Sequence, residues 1–387
     1  MKDETRLAHL SQDPERNFGI INPPVYHAST VAYGSLAEFR NRYARRYDGV
    51  MYGALGTPTT FALADAVAAL EGGARSVTTS SGLAAVTMAL LSFLSAGDHL
   101  LVADTVYAPN REFCDKILSR LGVETTYYDP RIGADIGAWI RPNTKVVFME
   151  TPGSGTFEMQ DVPAMARVAR EKGVLSLLDN TWASPLFFKP FAQGVDVSIQ
   201  AGTKYIAGHS DLVIGHITTR NEELYRRVKD CVGGLGDIPG PDDCYLALRG
   251  LRTMAVRLAR HQESGLRVAQ WLQQRPEVKR VLYPALPGDP GHAIWKRDFT
   301  GAASLFSIVL HEEREAVVER MVAALKLFRL GASWGGYESL ILPVYPASIR
   351  TAVPWTEKGF MLRLHIGLED VEDLLADLER GFSALKG

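Results

Sequence analysis

Short, nearly uninterrupted apolar runs recur through the middle of the chain: SVTTS at 76–80, LLVA at 100–103, VVFM at 146–149, VLSLL at 174–178, VDVSI at 195–199 and LVIGHI at 212–217. Each ends in small or polar residues and leads into a stretch with helical spacing. Strands that are apolar on both faces and alternate with helices belong to a mainly parallel sheet covered on both sides. The pattern predicts an α/β protein with a large, mainly parallel-sheet domain over 57–250. Before it, residues 1–56 read as an extended arm, with Pro23-Pro24 and the glycine-rich YDGVMYGALGTPTT around one short helix at Ser35 to Tyr47. After it come a long helix, the strand candidates VKRVLYP and GAASLFSIVL, and a final helix at Glu369 to Phe382. These form a smaller C-terminal α/β domain, 251–387.

Composition narrows the class. With 387 residues, 46% hydrophobic and 22% charged, the chain is ordinary globular material that needs no staple. The 42 Lys and Arg nearly balance 44 Asp and Glu, for a formal net charge of -2. That balance gives no field for wrapping nucleic acid or holding an anionic membrane. Cys114, Cys231 and Cys244 are odd in number and widely spaced, so neither a disulfide framework nor a zinc site is expected. The N-terminus is charged from its second residue, and the uncharged stretch 76–97 carries too many Ser and Thr for a membrane span. A cytoplasmic protein is expected.

Chemistry is sought beyond the carboxyl ends of the strands, where open parallel sheets bind ligands. Just past the runs lie Ser81-Gly82-Leu83 opening a helix, Tyr107, Asp179 then Asn180, and QAGTK with Lys204. Taken singly, each has a plainer reading as a helix cap, a core edge or a solvated lysine. Together they suit pyridoxal phosphate. A helix N-terminus offers free N–H groups to the phosphate, and a carboxylate keeps the ring nitrogen protonated. An aromatic side chain stacks on the ring, and a lysine forms a Schiff base with the aldehyde.

Three other patterns weigh less. GASWG (331–335), with Glu338 or Glu357 and His365, imitates a hydrolase triad, but the residues after Ser333 are poor helix material for a nucleophile elbow. FRNRYARRYDG spaces Phe39, Tyr43 and Tyr47 as one packing stripe rather than as a nucleic-acid patch. GLGDIPG (234–240) has the wrong spacing for a dinucleotide loop. The nine His are scattered, and no metal is implied.

VSIQAGTKYIAGHSD around Lys204 and LLDNTWASP around Asp179 strongly resemble the Cys/Met-metabolism family of fold-type-I pyridoxal-phosphate enzymes, which have the aspartate-aminotransferase-like fold. INPPVYHAST, YGALGTPT, YLALRGLRT and RLHIGLED extend the resemblance over nearly the whole chain. Within the family, SWGGYES (333–339) is similar to the β-eliminating carbon–sulfur lyases. The resemblance implies that Lys204 binds the cofactor and moves the Cα proton, and that Asp179 pairs with the ring nitrogen. Tyr107 would stack on the ring and assist with the substrate amine. Gly82, Leu83 and Thr203 would hold the phosphate, joined by Tyr52 from a neighbouring subunit of a homo-oligomer, usually a tetramer built as a dimer of dimers. Arg363 would clamp the α-carboxylate of a small sulfur amino acid such as cystathionine, with Ser333 and Trp334 lining the pocket. Ala54, Leu55 and Ala201 depart from the family pattern of two arginines and a serine, which implies weaker phosphate holding and a less polar distal end. The implied alternatives are a γ-acting relative, a cysteine desulfhydrase or an amino-acid racemase.

Overall fold

Seven strands pair into one sheet: β1 (Arg75–Thr79), β2 (His99–Ala103), β3 (Glu124–Tyr128), β4 (Thr144–Glu150), β5 (Leu175–Asp179), β6 (Val197–Gln200) and β7 (Gly215–Thr219). The computed structural model describes residues 1–385. The spatial order is β1-β7-β6-β5-β4-β2-β3. The pairs from β3 through β2, β4 and β5 to β6 are parallel, and β7 runs against both β1 and β6. Every strand but β7 therefore points the same way, and their carboxyl ends open on one side. This is the mainly parallel α/β sheet expected from the apolar runs.

Two strands differ from the pattern. β3 (ETTYY) is not an apolar run, because an edge strand pairs on one side only and is partly exposed. β7 begins at Gly215 rather than at Leu212: the Thr203 N–H bonds the Ile214 carbonyl at 3.1 Å, which ties the segment before β7 to the Lys204 loop.

The N-terminal segment is less extended than its sequence suggests. Helix α1 (Asp3–His9) has acidic residues in its first turn and basic ones in its last, which suits the helix dipole. It buries Leu7, while Arg252 donates to the carbonyls of Leu7, Ala8 and Leu10. The helix expected at 35–47 is broken into α2 (Leu36–Arg40) and a 3-10 turn, Arg42–Arg45. The break at Asn41 dissolves the aromatic stripe. Phe39 and Tyr43 are exposed, and only Tyr47 packs inward, edge-on to Tyr225.

Further helices cover the sheet, among them α3 (Pro58–Glu71) and α4 (Gly82–Phe93), and α5 (Ala108–Phe113) comes directly after Tyr107. A second sheet comprises β8 (Val278–Leu282), β9 (Leu305–Leu310), β10 (Arg329–Leu330), β11 (Leu340–Pro343) and β12 (Met361–His365), in the order β10-β11-β12-β9-β8. It is antiparallel apart from β10–β11.

The two sheets are fastened where the carboxyl ends open. Ser307 of β9 donates to the Gly155 carbonyl at 2.7 Å, and the Trp182 indole donates to the Leu305 carbonyl at 2.9 Å. Asp104, just past β2, is buried. It accepts the backbone N–H groups of Thr351, Ala352 and Val353 at 3.0 Å each and the Arg111 guanidinium at 2.6 Å. These bonds hold the Asp104 carboxyl below the usual carboxylate range against the opposing effect of burial.

Candidate active site

A cavity of about 250 Å³ opens at the carboxyl ends of the large sheet, room for a small molecule rather than a water. Its walls bring together Gly82, Leu83, Tyr107, Asp179, Thr203, Lys204, Trp334 and Arg363, all expected from the sequence. Ser333 joins them by accepting a hydrogen bond from Lys204 Nζ at 2.7 Å. Tyr52 is not in this wall; it is half exposed and borders a separate hollow.

Lys204 lies just past β6. Its ammonium is pushed down to about 8 by burial first and by the Arg363 charge second, with Asp179 opposing. The amine also lies 5.2 Å from the centroid of the Trp334 ring, which itself packs against Tyr205. Gly335 approaches so closely that an added Cβ would lie 3.0 Å from Lys204 Cα, and its φ of +86° favours glycine.

Asp179 ends β5. Its Oδ1 accepts the Thr181 N–H at 3.0 Å and the Thr181 hydroxyl at 2.5 Å, and Oδ2 has no partner among the described residues. Burial raises its pKa; the Thr181 bonds and Lys204 oppose that shift, and Glu71 adds to it. One carboxylate oxygen is thus fixed and the other is free for a ligand.

At the start of α4 the Ser81 hydroxyl accepts the Ala84 N–H at 3.0 Å. The N–H groups of Gly82 and Leu83 have no partner among the described residues, which leaves an anion site at the helix N-terminus. A Cβ on Gly82 would meet the Ala201 methyl at 2.5 Å, so glycine lets the helix start press against the Lys204 loop. Thr203 lines the same wall, but its hydroxyl donates to the Ile214 carbonyl at 3.1 Å and accepts the Ile214 N–H at 2.9 Å. Its proton is already engaged.

Arg363 rises from β12. Its Nη2 donates to the carbonyls of Ala332 and Ser333 at 3.0 and 3.2 Å, and no carboxylate pairs with it among the described residues. Burial lowers its pKa to about 10, so it stays charged at neutral pH. A half-buried guanidinium held only by carbonyls is suited to an incoming carboxylate.

The hydrolase imitation fails on geometry. Ser333 lies in the loop between β10 and β11, not at a strand-to-helix turn. The His365 ring accepts the Gly335 N–H at 3.0 Å and faces the Glu338 carbonyl on its other side, so it does not serve Ser333. Among the described residues no cluster of His, Cys, Asp and Glu could hold a metal ion, and no helix is long and apolar enough to cross a membrane.

The profile of the Cys/Met metabolism PLP-dependent enzymes matches residues 4–383. The chain belongs to this family. Like its other members it uses pyridoxal phosphate, and the cavity fits that group: free helix N–H groups, an open carboxylate oxygen and a depressed lysine converge on one space. A cystathionine beta-lyase, MetC, from Escherichia coli is 44% identical, covering 99% of both chains. An L-alanine/L-glutamate racemase from Wolbachia pipientis wMel is 41% identical, covering 100% of this chain and 98% of its own. The crystal structure of a cystathionine gamma-lyase from Lactobacillus plantarum, complexed with L-serine, superposes with a TM-score of 0.90 at 31% identity, covering 100% of both chains. The chain thus has the fold-type-I architecture.

Among the wall residues that the sequence pattern as read does not single out, one carries a titratable side chain. Glu150 ends β4, lines the cavity and accepts the Tyr107 N–H at 2.8 Å. The signal was present, since Glu150 is the residue directly after the run VVFM, in the position relative to its strand that Asp179 holds.

Proposed function

We propose that the protein is a carbon–sulfur β-lyase that cleaves L-cystathionine, or related cysteine S-conjugates, to a thiol such as homocysteine, with pyruvate and ammonia. The observation that carries this reading is the Arg363 guanidinium, held by carbonyls alone beside the depressed Lys204 amine: one group for an α-carboxylate, one for a Cα proton. The whole-length relative named a cystathionine beta-lyase supports the choice of substrate, and Trp334 in the cavity wall supports β- over γ-elimination.

Pyridoxal phosphate, when bound, supplies a carbonyl carbon for amines and a ring that takes up electrons from the substrate carbon. Arg363 would orient the substrate through its carboxylate and so present the Cα–H to the amine. Lys204, partly neutral near pH 7 because burial disfavours its charge, would take the Cα proton and later return one. Asp179 would hold the ring-nitrogen proton through Oδ2, while Thr181 keeps Oδ1 in place. Tyr107 would cover the ring and meet the substrate amine. The Gly82 and Leu83 N–H groups would hold the phosphate, and Thr203 would contribute packing more than a proton. As the Cβ–S bond breaks, its electron pair leaves with sulfur as a thiolate while the pair left at Cα forms the Cα=Cβ bond, and water hydrolyses the released enamine to pyruvate and ammonia.

The functional unit in this reading is a homo-oligomer, a tetramer as a dimer of dimers, in which Tyr52 serves a neighbour's phosphate. Its half-exposed ring away from the cavity supports that role. Three free cysteines support a reducing compartment such as the cytoplasm, where the reaction would serve methionine biosynthesis. A second reading, proton exchange at Cα without cleavage, is favoured by the Wolbachia relative, because Lys204 would make the same first move.

The test is thiol release. Holo-protein given L-cystathionine should liberate a free thiol, and Lys204→Ala should liberate none. D-amino acid formed from L-alanine, with no thiol from cystathionine, would favour the second reading instead.

A further inference from the structure

We propose that Glu150 is a positioning residue of the site: the neutral member of a carboxyl pair with Asp179, fixing the Tyr107 turn and leaving Asp179 as the one anion for the ring nitrogen. The inference rests on the roles of Asp179 and Lys204 proposed for the lyase.

Glu150 and Asp179 are direct register partners on the parallel strands β4 and β5. Neighbouring strands lie about 4.8 Å apart, and partners in register send their side chains to the same face. Both residues line the cavity. Two ionised carboxylates so placed, out of bulk water, disfavour each other's charge, and one keeps a proton.

Their surroundings decide which one. Asp179 has the Thr181 N–H and O–H as donors and the charge of Lys204 nearby. Glu150 has one backbone donor, the Tyr107 N–H on Oε2 at 2.8 Å, and no cation pairs with it among the described residues. Burial and Asp179 together push its pKa well above the usual carboxylate range. The other titrating or charged groups around the cavity are Tyr107 from the turn before α5, Lys204 after β6 and Arg363 on β12.

A protonated carboxyl still accepts the Tyr107 N–H through its carbonyl oxygen and has one O–H to give. It can therefore anchor the turn without adding a second negative charge. Cofactor binding removes more water from the pair and favours the neutral form. By linkage, cofactor affinity then falls as pH rises through the Glu150 pKa.

The experiment titrates apo-protein with pyridoxal phosphate by absorbance between pH 6 and 10, for wild type, Glu150→Gln and Glu150→Ala. Glu150→Ala should bind the cofactor at least tenfold more weakly at pH 7, and Glu150→Gln, a permanently neutral acceptor, should recover most of that loss. Lys204 and Tyr107 titrate in all three proteins. The wild type should show an additional alkaline fall of about tenfold that Glu150→Gln lacks. The infrared spectrum of wild-type apo-protein at pH 7 should carry a protonated-carboxyl band that Glu150→Gln removes. A Gln variant as weak as the Ala variant overturns the proposal, as does a wild-type spectrum without such a band, which needs no variant to fold. Asp179→Asn and Lys204→Ala measured alongside keep the two failures apart. If both bind cofactor as the wild type does, the assignment of the site itself is wrong; if both bind weakly while the Glu150 variants do not, only the role of Glu150 is.

Discussion

Lys204 donates from Nζ to the hydroxyl of Ser333 at 2.7 Å. The bond joins the loop after β6 to the loop between β10 and β11, so the amine is aimed by a residue from a loop of the second sheet. Ser333→Ala should cost on the order of 1 kcal/mol of alignment, a three- to tenfold fall in kcat. Cofactor content by absorbance should stay near stoichiometric. Loss of cofactor together with activity would mean that Ser333 serves binding rather than aim.

Lys204→Ala should abolish turnover and the long-wavelength absorbance of lysine-bound cofactor. Asp179→Ala should retain cofactor poorly and lose orders of magnitude in activity, because the ring nitrogen would lose its counter-charge. Normal turnover in either protein would contradict the assigned roles, and steady-state kinetics with spectra on the same samples decide it.

Arg363→Ala should lower kcat/KM by about two orders of magnitude, since a charge-assisted bond to a buried group is worth about 3 kcal/mol. Arg363→Lys should recover only part of this, because an ammonium cannot match the planar fork. A variant with unchanged kcat/KM would remove Arg363 from the substrate site.

How much of this was legible in the sequence depends on how local each cause is. β5 and β6 stood out because strands buried on both faces are continuous apolar runs, and Asp179 and Lys204 sit close behind those runs in the chain. β3 was hidden, because an edge strand needs no such run. The bond from Lys204 to Ser333 joins residues 129 positions apart, and no local pattern encodes that contact. Thr203 illustrates the opposite limit: it lines the cavity wall beside Lys204, but its hydroxyl is engaged by Ile214, which arrives from the segment before β7. Glu150 was overlooked although the rule that located Asp179 applied to it unchanged.

Acid should destabilise the fold in a defined window. Burial lowers His261 from 6.5 to about 4 and His216 from 6.5 to about 3. Both stay neutral in the folded protein while the unfolded chain takes up protons below about 6.5. Their contribution is therefore complete above that pH and is lost as pH falls towards 4, at up to about 1.4 kcal/mol per unit for each residue. Urea unfolding at pH 7.5, 6 and 5 checks it, with the midpoint expected to drop most between 6 and 5. A midpoint constant across that range would mean that these rings are accessible to protons in the native state.

The most direct test of the central claim is the identity of the keto acid formed from L-cystathionine by the cofactor-loaded enzyme. Pyruvate accompanied by homocysteine is the predicted result, with the electron pair leaving from Cβ. 2-Oxobutyrate accompanied by cysteine would contradict it and make the enzyme γ-acting, despite Trp334 in the cavity wall.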